Sequence, residues 1–137
     1  STAHEERNTS IMPLTEIIDL TRRLVESITH CDWQTYTDLC AEDLTAYEPE
    51  AQGYLVQGMG FHKHYFDMQD ESPYANVTTT LSSPSVRMLG KDAALIAYIR
   101  LTQRVGSDGK STTSSTQETR IWQRIDGRWK HVHFHRT

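Results

Sequence analysis

Long apolar runs are missing from this chain. None of its 137 residues belong to a stretch approaching the ~20 apolar positions that a membrane span requires, so no membrane partner is expected. A basic tract is missing too. The formal net charge is −4, which argues against nucleic acid as a partner. There are two cysteines, Cys31 and Cys40. Their spacing fits no zinc or redox motif, so reduced thiols in the cytoplasm are expected. No signal-peptide pattern opens the sequence. There is no glycine-rich phosphate loop, no His-Arg-Asp and no Asp-Phe-Gly, so kinase chemistry is not expected of these residues. No cofactor motif is present, and no cofactor is assigned. The length fits one domain.

What is there begins with a polar arm, residues 1–12, read as flexible. Within it Arg7-x-x-Ser10 matches a pattern that some basophilic kinases accept. Pro13 then suits a first helical turn. Leu14, Ile17, Ile18, Thr21, Leu24, Val25 and Ile28 follow at helical spacing as one stripe. Asp32 caps a short second helix with Trp33, Tyr36 and Leu39 inside. Leu44–Glu48 and Tyr54–Gln57 read as strands, and Gly60 opens a third helix holding His62. The remainder reads as sheet. Val77–Leu89 is a strand interrupted at Ser83-Pro84, and Ala93–Val105, Thr112–Ile125 and Arg128–Arg136 follow. The Gly106–Gly109 loop and the Asp126-Gly127 turn signal join the last three. Helices followed by an antiparallel meander predict an α+β domain over residues 13–137, with a cavity between the first helix and a curved sheet.

Alternation along the strands points to a site. Ala94, Ile96, Tyr98 and Arg100 share one face of a strand that is apolar on both sides, so Arg100 is expected to enter a place with little water. A guanidinium there stays charged and needs an acidic partner or an anion. Arg120 shares a face with Glu118 and Trp122, and Arg136 with Val132 and Phe134. Three arginines on successive strands about 5 Å apart form a candidate anion cavity. Glu48, Glu50 and Glu118 would offset part of the charge, and His62 would add a donor. Internal salt bridges, or pairs across a subunit boundary, are the plainer explanation of the same pattern. An enzyme remains the alternative. Domains of this class house isomerases and dehydratases, and Tyr47, Tyr65, Tyr98 and His62 are candidates for such work.

The other strand face looks made for a neighbour. Leu95, Ile99 and Leu101 are apolar there, and Trp129 with His131, His133 and His135 alternates along the last strand. These residues are candidates for contact between subunits. A His-x-His pair can share a metal, but no further ligand is evident and no metal is assigned.

Five ordered motifs carry a resemblance. They are Leu44–Ala51 (LTAYEPEA), Gly58–His62 (GMGFH), Ile96–Gln103 (IAYIRLTQ), Glu118–Trp122 (ETRIW) and Val132–Arg136 (VHFHR). From about Leu14 to Arg136 the chain resembles the association (hub) domain of calcium/calmodulin-dependent protein kinase II. That resemblance implies a cone-shaped fold like nuclear transport factor 2 and ketosteroid isomerase. It implies a non-catalytic homo-oligomer of two stacked rings, dodecameric or tetradecameric, that organises kinase subunits. It also implies a cavity for small carboxylates or peptide segments, with arginines at the positions of Arg100, Arg120 and Arg136 and a histidine at His62. The chain departs from the vertebrate pattern where Asp70 stands near an expected tryptophan. It departs again in the Ser/Thr-rich hairpin Gly106–Ser115.

Overall fold

The computed structural model describes residues 2–68 and 76–137, with side chains from residue 11 onward. Asp70 therefore lies outside the described residues, as do the side chains of Arg7 and Ser10. Among the described residues, three α-helices, a 3-10 turn and six strands follow in the order α1 (Thr2–Thr29), α2 (Trp33–Leu39), β1 (Cys40–Tyr47), the 3-10 turn (Pro49–Ala51), β2 (Val56–Gln57), α3 (Gly60–Asp67), β3 (Val77–Met88), β4 (Ala93–Val105), β5 (Ser111–Ile125) and β6 (Arg128–Arg136).

The first helix starts earlier than its proline suggests. Pro13 lies inside α1 rather than at its first turn. Its missing N–H costs one ladder bond, and the packed stripe begins beyond it. Ile17, Thr21, Leu24 and Val25 are buried, and the helix packs chiefly on β3 and α2. Asp32 caps α2 as its residue type predicts, accepting from the Thr35 backbone N–H at 3.1 Å.

The sheet runs in the order β2-β1-β6-β5-β4-β3. Every pair is antiparallel except β1 with β6, which is parallel, so the all-antiparallel expectation fails at that seam. The reason is topological. The last strand closes the meander beside the first, and no hairpin joins them. Asp126 and Gly127 take φ of 52° and 77°, which allows the tight turn between β5 and β6. A bulge interrupts β3 between Ser82 and Ser85, where Ser83 has φ of 52° beside Pro84. Proline cannot donate to the ladder, and the bulge absorbs that loss.

Trp122 lies at the centre of the core, fully buried. Its indole N–H donates to the Thr21 hydroxyl at 3.0 Å, which in turn donates to the Ile17 carbonyl at 2.8 Å. Sheet and helix are thereby joined by a polar contact inside an apolar layer. Each donor has its acceptor, so the burial of both costs little.

Candidate functional site

A cavity of about 270 Å³ opens on the helix-covered face of the sheet, lined by Arg100, Arg120, Arg136, His62 and Glu48 among others. The alternation predicted from sequence thus brings the three arginines to one place. Strand register explains how. Glu118 on β5 stands opposite Tyr98 on β4 and opposite Arg136 on β6. Arg120 follows two residues on along the same face of β5, and Arg100 lies diagonally across. Two of the three guanidinium groups, those of Arg100 and Arg120, therefore share one carboxylate.

That carboxylate is fully occupied. Glu118 Oε1 accepts from Arg120 Nη2 at 2.8 Å and from the Tyr98 hydroxyl at 2.6 Å. Its Oε2 accepts from the Thr116 hydroxyl at 3.1 Å and lies 2.9 Å from Arg100 Nε. The Arg100 contact has the distance of an ion pair but not the angle of a hydrogen bond, and among the described residues Arg100 Nε has no hydrogen-bond partner. Burial by itself would raise the Glu118 carboxyl. The charges of Arg120 and Arg100, with the Tyr98 hydrogen bond, outweigh burial and hold it at about 2.

Arg120 is the most deeply held of the three, at 1% exposure. Its Nε donates to the Tyr98 hydroxyl at 2.7 Å, and Nη1 lies 3.3 Å from His131 Nε2. Arginine only donates, so His131 Nε2 accepts and Nδ1 carries the proton. Nδ1 then faces Cys40 Sγ at 3.5 Å. Burial first, then the Arg120 charge, drives the His131 pKa well below its ordinary value, consistent with a neutral ring. The Phe134 ring lies beneath the Arg120 guanidinium at 4.6 Å.

Arg136 belongs to a separate pairing. It donates to Glu50 Oε2 and lies 3.7 Å from Glu48 Oε2. Burial raises the Glu48 carboxyl, although Arg136 opposes the shift.

His62 completes the cavity from α3. Its ring packs 5.9 Å from Tyr36 and 5.7 Å from Phe134, and Trp33 and Tyr36 of α2 hold Phe66 of the same helix at 5.0 Å each. His62 is 6% exposed, and its Nε2 has no hydrogen-bond partner among the described residues. Burial, then the Arg120 charge, lowers its pKa to about 4.

Several sequence expectations change. Tyr98 is a support beneath the cavity rather than a wall of it: it holds both Glu118 and Arg120, and burial pushes its hydroxyl up to about 12. Tyr47 is 43% exposed and meets His133 edge-on and His135 at a tilt, and it does not line the cavity. Trp129 and His131 are buried within this subunit and so cannot serve as contact residues. A register shift between Ile121 and Trp122 causes this. The extra residue on β6, Val132, reverses the facing, so His131 points inward while His133 and His135 point outward. The histidine trio is therefore divided. Among the described residues no group of three metal-ligating side chains occurs. Leu95, Ile99 and Leu101 do lie on the outer face, half-buried or exposed.

Sequence reasoning missed Arg104. It lines the same cavity, and the signal was present, since residues 100, 102 and 104 share parity on one strand.

The fold is that of an α+β domain whose structural neighbours include nuclear-transport-factor-2-like and ketosteroid-isomerase-like proteins. A putative ketosteroid isomerase from Shewanella frigidimarina superposes with a TM-score of 0.69 at 22% identity, covering 87% of this chain and 92% of that one. An NTF2-like protein from Novosphingobium aromaticivorans gives 0.77 at 18%, covering 98% and 87%. Such distant likeness shows the fold alone. The chain belongs to the calcium/calmodulin dependent protein kinase II association domain family, whose model matches residues 14–137. It is 47% identical over 122 residues to the type II kinase subunit delta of Oryctolagus cuniculus, covering 89% of this chain and 23% of that protein. The association domain of C. elegans CaMKII superposes with a TM-score of 0.88 at 38% identity, covering 95% of this chain and 98% of that one. The chain thus spans about a quarter of the length of the kinase subunit it matches. The matched region is an association domain and not a kinase domain. No helix among the described residues is long and apolar enough to cross a membrane.

Proposed function

We propose that this chain self-assembles through the open face of its sheet into a ring of stacked dimers, and that it gathers kinase subunits in the cytoplasm when joined to them. The observation that carries this reading is an uncovered apolar stripe. Leu95, Ala97, Ile99 and Leu101 of β4 line up with Ile121 of β5, which registers against Leu95. Ile99 is 41% exposed in the single subunit. A second copy laid on this stripe removes it from water. Light scattering at micromolar concentration tests the reading. An assembly of a dozen or more subunits is expected, and Ile99→Asp is expected to reduce it to small species. A wild-type monomer would refute it.

The cavity supports a second role, acceptance of a small carboxylate or the acidic end of a peptide. The orphaned His62 Nε2 and the crowded guanidinium groups favour an anion there. Arg100→Ala should abolish carboxylate binding in calorimetry while the assembly persists. General-base catalysis is not favoured. His62 near 4 and Glu118 near 2 are both weak bases at neutral pH.

A further inference from the structure

Arg104 extends the positive wall of the cavity outward along β4. It lies four residues beyond Arg100 on the same strand, about 13 Å along the backbone, with Thr102 between them. Both arginines and Thr102 line the cavity. Arg100 is deep, its side chain 16% exposed, while Arg104 is exposed at the open end. Beside β4 in the sheet, Thr79 and Val77 of β3 register with Thr102 and Arg104, and they line the cavity together with Ile28 of α1. None of these carries charge.

The charge is distributed unevenly. Arg136 is matched by two carboxylates, Glu48 and Glu50, so that side of the cavity repels an anion. Among the described residues Arg100 and Arg120 share a single carboxylate, Glu118, so the deep end of β4 carries excess positive charge there. Arg104 adds a guanidinium at the mouth. With five N–H donors it can serve a ligand oxygen beside any partner the protein supplies. The cavity wall formed by β4 therefore has two cationic stations, one deep and one outer, separated by a neutral stretch of hydroxyl and methyl groups.

We propose that the ligand class of this cavity is a small flexible dicarboxylate. One carboxylate sits at Arg100, Arg120 and His62, the other at Arg104, and Arg104 determines the preference over monocarboxylates. The proposal rests on the anion-accepting reading of the cavity given above.

Calorimetry with glutarate and butyrate on the assembled protein separates the two. Glutarate is expected to bind about tenfold more tightly than butyrate, equivalent to about 1.4 kcal/mol. Arg104→Gln is expected to bring the ratio close to one by weakening glutarate while leaving butyrate unchanged. Because Arg104 is exposed, the variant should keep its fold and assembly size, checked by circular dichroism and light scattering. A wild-type ratio near one overturns the proposal, as does a ratio that Arg104→Gln does not alter. Either result leaves the anion cavity standing if both acids bind. If neither acid binds the wild type, the anion cavity itself is refuted.

Discussion

Replacing Glu118 with glutamine tests the central physical claim, that one buried carboxylate holds the arginine cluster together. Glu118 has a fully buried side chain and meets Arg120, Arg100, Tyr98 and Thr116. An amide has nearly the same shape but presents one NH2 end. If that end takes the Oε1 position it faces the Arg120 Nη2 donor. If it takes the Oε2 position it faces Thr116 and Arg100. Either way donors meet donors, and two buried guanidinium groups lose their counter-charge. Breaking a buried pair on one side typically costs 3–5 kcal/mol. The depressed pKa gives a similar magnitude. Glu118 falls from its ordinary 4.5 to about 2, and at 1.36 kcal/mol per unit this amounts to about 3 kcal/mol. Urea denaturation followed by tryptophan fluorescence measures the loss, and Trp122 in the core reports it. A loss of about 3 kcal/mol is expected. Glu50→Gln serves as the contrast, because its ion pair with Arg136 is partly exposed and should contribute about 1 kcal/mol or less. The wild type carries the same signature in acid. An acid held below its ordinary pKa stabilises the fold while ionised, so the contribution is complete above pH 4.5 and lost as pH falls towards 2. A Glu118→Gln protein within 1 kcal/mol of wild type at neutral pH would refute the reasoning.

Three further outcomes are expected. Thr21→Val removes the acceptor of the Trp122 indole N–H and leaves a buried donor orphaned, for an expected loss of about 1–3 kcal/mol in denaturant melts; no loss would mean that the donor finds another partner. Asp32→Ala removes the α2 cap bonds to Thr35 and should cost about 1 kcal/mol, read from the same melts, with an unchanged midpoint counting against the cap. Below pH 6.5 the unfolded chain takes up a proton that folded His62 refuses until about 4. Stability should therefore decline across that window, and His62→Phe should flatten the decline in melts recorded from pH 7 to 4. The part due to buried His131 would remain, since its pKa is lowered in the same sense.

The sequence by itself determined the elements and much of the site. Period-two alternation sufficed for β4, whose bounds agree with Ala93–Val105. It also put Arg100 on the face of Tyr98 and Arg120 on the face of Glu118, because parity along a strand is a local property of the backbone. Asp32 and Asp126-Gly127 acted through local chemistry and were legible for the same reason. Tertiary structure decided what local rules cannot reach. The bulge opposite Ile121 and Trp122 turned Trp129 and His131 inward, since register depends on the partner strand and not on the strand itself. The parallel seam of β1 with β6 pairs residues some ninety positions apart, and no short pattern encodes such a pairing. Only packing made Glu118 the shared counter-ion, reduced Tyr98 to its support and buried the His62 Nε2 without a partner among the described residues. Each of these depends on which distant side chains arrive together once the sheet closes over its helix, and that is settled by burial in the whole domain.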